Sequence, residues 1–159
     1  MAVLPERFNA RQKDPRIGAN PAQRVLGYAA GQLGFAENKS VLDQVITAGA
    51  LLSGLSVTVV IGANRRIEAT CKTNLFSSVI EDSAYFEIRL DGVAMDRAYV
   101  NRLSGASEQT IQWSSISTPS VGSHTYTVFG IRNGGTGVIT NRSRANLSTF
   151  LLVEDIGVA

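Results

Sequence analysis

The 159-residue chain has one cysteine, one histidine, one tryptophan and four prolines, and these shortages close off whole classes of function. A lone Cys71 permits neither an internal disulfide nor a multi-cysteine metal site. A lone His124 leaves no histidine-rich metal centre, and any Ser-His-Asp relay would have to run through it. No run of about 18 apolar residues occurs, so no transmembrane helix is expected. The opening segment, Met1–Asp14, lacks the apolar core of a secretory signal, and synthesis in the cytoplasm is therefore expected. Internal repeats, coiled-coil heptads and collagen-like triplets are all missing.

What remains is a globular composition, 44% apolar and 18% charged, of a length that suits one domain. Charge is unevenly placed. Residues 1–24 carry Arg7, Arg11, Lys13, Arg16 and Arg24 against Glu6 and Asp14, a balance of +3, while the rest of the chain is at −1. Three of the four prolines, Pro5, Pro15 and Pro21, fall in the same stretch. Proline removes a backbone donor and pushes the residue before it towards extended geometry. Residues 1–24 therefore read as an extended basic arm and residues 25–159 as the folded domain. The expected attachment residues of the arm are Arg7, Phe8, Arg11, Lys13, Arg16 and Arg24. Acidic residues interrupt its cations and no aromatic stacking platform accompanies them, which favours docking on a protein surface over nucleic acid.

The domain alternates. Leu55–Ile61 and Arg66–Lys72 have period two, the latter with Ile67, Ala69 and Cys71 on one face. Ala84–Leu90 places Phe86, Ile88 and Leu90 opposite Glu87 and Arg89, and Asp91-Gly92 then signals a hairpin returning along Val93–Val100. Further strands are expected at Thr110–Ile116, His124–Ile131, Val138–Thr140 and Ser148–Val153. In Thr110–Ile116, Ile111 and Trp113 alternate and Ser115 falls out of step. Ala36–Leu52 fits either a short helix, with Val41, Leu42, Val45 and Ile46 at helical spacing, or a meander with a strand. Eight or nine short strands point to an all-β antiparallel sandwich or jelly roll.

A search for chemistry yields little. His124 lies within a strand and reads as a surface or cross-strand residue. Cys71 lies on an apolar face and reads as a small hydrophobe. Glu81-Asp82, in a turn, and Glu154-Asp155 read as solvated carboxylates rather than a hydrolytic pair. Asn133-Gly-Gly-Thr-Gly137 could cradle a phosphate, but no Lys-Ser/Thr follows, and a hairpin turn is the simpler reading. Trp113, Tyr28, Tyr85, Tyr99 and Tyr126 read as too scattered for a sugar-stacking platform. No catalytic, cofactor or metal site is expected, and a binding or structural role follows.

Three groups of residues carry a resemblance. They are Phe8-Asn-Ala-Arg11 with Arg24-Val-Leu-Gly-Tyr-Ala29; Leu55-Ser-Val-Thr-Val59 with Arg65-Arg-Ile67 and Thr118-Pro-Ser-Val-Gly-Ser-His-Thr-Tyr126; and the ending Phe150-Leu-Leu-Val-Glu-Asp-Ile-Gly157. Together they resemble a family of minor structural proteins, minor tail or minor capsid, from phages of actinobacteria and related prophages. The layout is similar to trimeric jelly rolls of the tumour-necrosis-factor/complement type. The resemblance implies a homotrimer located in the virion and made in the host cytoplasm. Its implied partners are the major capsid protein or the tail proteins of the same particle. A capsid decoration role is favoured because no shaft-forming repeat is present. The alternative is a tail or fibre protein presenting the domain to a host-surface glycan.

Overall fold

The computed structural model describes residues 31–39, 43–47, 49–79, 81–101 and 108–159. The expected attachment arm, with Arg7, Phe8, Arg11, Lys13, Arg16 and Arg24, lies outside the described residues. Ten strands occur: β1 (Gln32–Asn38), β2 (Gln44–Ile46), β3 (Ala50–Ile61), β4 (Arg65–Ser77), β5 (Ser83–Leu90), β6 (Val93–Val100), β7 (Gln109–Ser117), β8 (Gly122–Gly134), β9 (Ile139–Asn141) and β10 (Thr149–Val158). Among the described residues there is no helix, so Ala36–Leu52 takes the meandering alternative, with the end of β1, all of β2 and the start of β3.

The topology follows from one hairpin. Asp91 (φ 50°) and Gly92 (φ 84°) both adopt the left-handed conformation that a tight two-residue turn requires, and β5 returns as β6. Outside that pair β4 meets β7, outside that β3 meets β8, and outermost β1 meets β10, all antiparallel. The chain is thus a nested two-stranded ribbon. Folding the ribbon over lets β10 pair with β4 and β8 with β5, which generates two sheets. One runs β1-β10-β4-β9-β2, with β7 on the other edge of β4; the other runs β3-β8-β5-β6. This is a jelly-roll sandwich, the fold class expected from the strand pattern.

Alternation determines what each strand buries. Along β4 the side chains of Ile67, Ala69, Cys71, Thr73 and Leu75 are all fully buried, and they face Leu55, Val57, Val59, Phe86, Ile88, Tyr126 and Val128 from the other sheet within one core. Each fully buried Val, Leu, Ile or Phe contributes roughly 1.5–3 kcal/mol. On β7 the alternation continues through Ser115, which is buried, whereas Ile116 is 53% exposed. Ser115 is therefore in step with Ile111 and Trp113 rather than out of it, a polar residue accepted on the core face.

Candidate binding face

The outer surface of the four-stranded sheet gathers side chains that sequence order keeps apart. The β5–β6 hairpin starts with Leu90 opposite Val93 and Arg89 opposite Ala94, and then slips so that Ile88 faces Asp96. Met95 is the extra residue, a β-bulge. Beyond it Glu87 faces Arg97 and Tyr85 faces Tyr99. Without the bulge, Glu87 would lie opposite Asp96, carboxylate against carboxylate. On the other flank β8 places Phe129 beside Glu87 and Ile131 beside Tyr85, and β3 adds Leu51 beside Phe129.

The centre of this face is an ion cluster built on one buried carboxylate. Glu87 is 1% exposed although it points away from the core. Arg89 donates from Nε to its Oε2 at 2.8 Å, and Arg97 donates from Nε to its Oε1 at 2.7 Å. The Arg89 guanidinium lies 3.8 Å from the centre of the Phe129 ring, and that of Arg97 lies 4.9 Å from the centre of Tyr85. Tyr85 and Tyr99 rings stand 5.5 Å apart. A buried carboxylate thus holds two arginines over two aromatic rings. Tyr99 (58% exposed) and Leu51 (45% exposed) remain open to an incoming surface. Two tyrosines judged too scattered from sequence are cross-strand neighbours. Of the other aromatics considered, Tyr126 is fully buried, Trp113 packs inward 6.1 Å from Phe86, and Tyr28 lies outside the described residues.

The other candidate residues are placed as follows. His124 joins two turns: Nδ1 lies 2.7 Å from Asp91 Oδ2 and Nε2 lies 2.9 Å from the Ser120 carbonyl. Both partners are acceptors, so the ring serves best with both nitrogens protonated. Hydrogen bonds to Asp91 and then to Ser120 raise the His124 pKa above its ordinary value, against a smaller opposing effect of burial. Asp91 is lowered in turn, first by the Thr125 backbone N–H and then by His124. Among the described residues, no hydroxyl occupies the relay position on the imidazole. Cys71 is fully buried, and burial pushes its thiol far above the ordinary range.

Asp82 departs from expectation. Its place in a turn predicts a solvated carboxylate, yet it is fully buried, and only its neighbour Glu81 is exposed. The Ser77 hydroxyl donates to Oδ2 and the Gly137 N–H donates to Oδ1 at 2.9 Å. A Cβ at Gly135 would fall 2.0 Å from Oδ1, and one at Gly137 2.2 Å from Oδ2. Arg132 stands 3.8 Å away. The glycine-rich stretch 133–137 is an anion cradle after all, and its anion is internal. Burial pushes the Asp82 carboxyl up, but the hydrogen bonds from Ser77 and Gly137, the Arg132 charge and the Thr136 N–H together hold it below the usual range.

No protein-family model matches this sequence, and no curated protein matches it. Solved structures resemble it only loosely. The Bacillus thuringiensis insecticidal delta-endotoxin Cry8Ea1 aligns with 69% of this chain at 8% identity and a TM-score of 0.43, the aligned part being 19% of the toxin. A carbohydrate-binding module of Cellvibrio mixtus lichenase 5A, solved with cellotriose, aligns with 79% of this chain and 99% of its own at 14% identity and a TM-score of 0.41. The C-terminal domain of EclA, a sugar-binding protein, aligns with 97% and 99% at 14% identity and a TM-score of 0.35. These are likenesses of the β-sandwich at large, and they carry no functional argument.

Proposed function

We propose that this chain is a non-enzymatic structural protein of a bacteriophage particle, a homotrimeric capsid decoration protein held by its basic N-terminal arm and by the outer face of its four-stranded sheet. The observation that carries the binding part of this reading is the Tyr85–Tyr99–Arg97 surface locked over the buried Glu87. Tyrosine and arginine dominate the energetics of protein–protein contacts, and preorganised side chains lose little entropy on docking. A face that exposes Tyr99 and Leu51 beside arginine suits another protein surface. The virion setting rests on the sequence resemblance, which spans both ends of the chain.

The test is the copy number per particle, measured by quantitative mass spectrometry on purified virions separated into heads and tails. Hundreds of copies travelling with heads support decoration, and Tyr99→Ala combined with Arg97→Ala should then lower occupancy at least tenfold. Absence from purified particles would overturn the virion reading. The second reading, a minor tail or fibre protein that binds a host-surface glycan, is favoured by the exposed Tyr99 ring beside Tyr85, on which a sugar could stack. A handful of copies travelling with tails would select it.

A further inference from the structure

A second surface has a different chemistry. The end of β1, the start of β2, an irregular stretch of β3 and the end of β9 enclose an open groove of about 390 Å³, lined chiefly by Glu37, Asn38, Asp43, Gln44, Ser53 and Asn141. That volume falls within the roughly 300–1,000 Å³ typical of small-molecule clefts. We infer that this groove is a binding site for a neutral oligosaccharide.

The argument starts from how the lining is held. β3 pairs regularly with β8 through Ala50 and Leu51 and again from Ser56, and the residues between them bulge. Gln44 pins that bulge at both ends of its amide: Nε2 donates to the Leu51 carbonyl at 2.6 Å, and Oε1 accepts from the Ser53 N–H at 2.8 Å. Asn38 Nδ2 donates to the Ser53 carbonyl at 2.9 Å. Asn141, 1% exposed, accepts from the Thr73 hydroxyl at 2.6 Å through Oδ1, and its Nδ2 has no partner among the described residues. Three of the lining residues, Asn38, Gln44 and Asn141, are therefore held by hydrogen bonds to the protein itself.

Charge then selects the ligand class. Asp43 is paired with Arg144 at 2.6 Å and with Arg142 at 3.2 Å, and Glu37 is paired with Lys39 at 2.9 Å. Arg142 is itself shared with Glu108 at 3.1 Å and stacks on Phe76 at 3.7 Å. Carboxylates neutralised in this way do not recruit a metal ion, and no group of three or more potential metal ligands occurs among the described residues. The flanking cations are equally committed, which leaves little for a phosphate. What remains open is hydrogen-bonding capacity: spare carboxylate lone pairs on Glu37 and Asp43, and amide hydrogens on Gln44 and Asn141. A ligand whose every group both donates and accepts matches that mixture, and sugar hydroxyls do so. The inference stands apart from the virion reading, because it concerns the isolated domain whatever particle carries it.

The experiment is an NMR titration of the full chain with maltotriose, xylotriose and tri-N-acetylchitotriose, each to millimolar concentration. At least one should shift the side-chain amide signals of Gln44 and Asn141. Ser53→Tyr, at an exposed position whose side chain makes no hydrogen bond in the structure, should fill the groove and abolish the shifts while leaving the spectrum dispersed. Glu37→Gln should weaken binding by about tenfold, the loss expected for one charged hydrogen bond. Shifts that survive Ser53→Tyr but vanish with Tyr99→Ala would move the sugar to the sheet face and overturn the inference. So would a titration in which none of the three sugars moves the Gln44 and Asn141 signals.

Discussion

Replacing Asp82 offers the sharpest check on the reading of the glycine cradle. Asp82→Ala would strand the Gly137 N–H in a site with no water-accessible surface, leave the Ser77 hydroxyl only its partners on Val79, and deprive Arg132 of its nearest carboxylate. One buried N–H left unsatisfied costs about 1–3 kcal/mol, and with the charged hydrogen bond from Ser77 also lost a total of roughly 2–4 kcal/mol is expected. For a domain of this size that corresponds to a fall in Tm on the order of 10 °C. Asp82→Asn keeps the shape but turns one acceptor into a donor facing donors, and should cost less, about 1.5–3 kcal/mol. Urea denaturation at neutral pH measures both. The pH dependence adds a second reading. The folded Asp82 pKa is depressed, so its contribution is fully present above the unfolded value near 4 and is lost as pH falls through the folded value. Asp82→Asn should therefore flatten the acid limb of the stability profile relative to the parent. If Asp82→Ala unfolds within about 0.5 kcal/mol of the parent, the carboxylate does not organise the cradle and the reasoning fails.

Three further outcomes are expected. His124, raised by Asp91, should titrate above the ordinary value of about 6.5 in a histidine NMR experiment, and Asp91→Asn should bring it back down. Its stabilising effect is full below the unfolded pKa and fades as pH rises through the folded one, so an unchanged His124 titration in Asp91→Asn would rule the pair out. Gly34→Val should destabilise by at least the roughly 1–3 kcal/mol of an overpacked core, since even a Cβ there would fall 2.2 Å from Val57 Cγ1; thermal melting reads this out. Cys71 should resist a thiol reagent at pH 8 in the native state and react completely in urea, and rapid native labelling would contradict its burial.

Most of the strands were legible because they are half-buried. β4, β5, β7 and β8 each carry one apolar face and one polar face, and period two exposes that directly, while β6 is legible only as the return strand of the Asp91-Gly92 turn. β1 escaped notice for a physical reason. Its inward positions include Gly34 and Ala36, because β3 approaches so closely that no larger side chain fits over Val57, and small residues leave no hydrophobic signature. β2 is three residues long, too short for any period. The Asp82 cradle was illegible because its donors lie 5 and 55 residues away, and no local pattern links them. The tyrosine pair was nearly legible. Asp91-Gly92 fixes where the hairpin turns, but a regular ladder from that turn puts Tyr85 opposite Ala98, and only the Met95 bulge brings Tyr99 across.

That bulge points to a common origin for the two candidate ligand surfaces. In a nested ribbon, every pairing constrains the next, so a regular register would leave each outer face as plain alternation. Register breaks are where the faces acquire content. The extra residue at Met95 exchanges a repulsive Glu87–Asp96 opposition for the Glu87–Arg97 pair and thereby draws two arginines over two rings. The irregularity between Leu51 and Ser56 exposes the Ser53 backbone groups that Gln44 and Asn38 grip, which shapes one wall of the polar groove. Bulges re-aim side chains at sheet edges and beside functional sites. Here each costs the ladder a pairing and returns a surface whose side chains are held by hydrogen bonds and ion pairs within the protein itself.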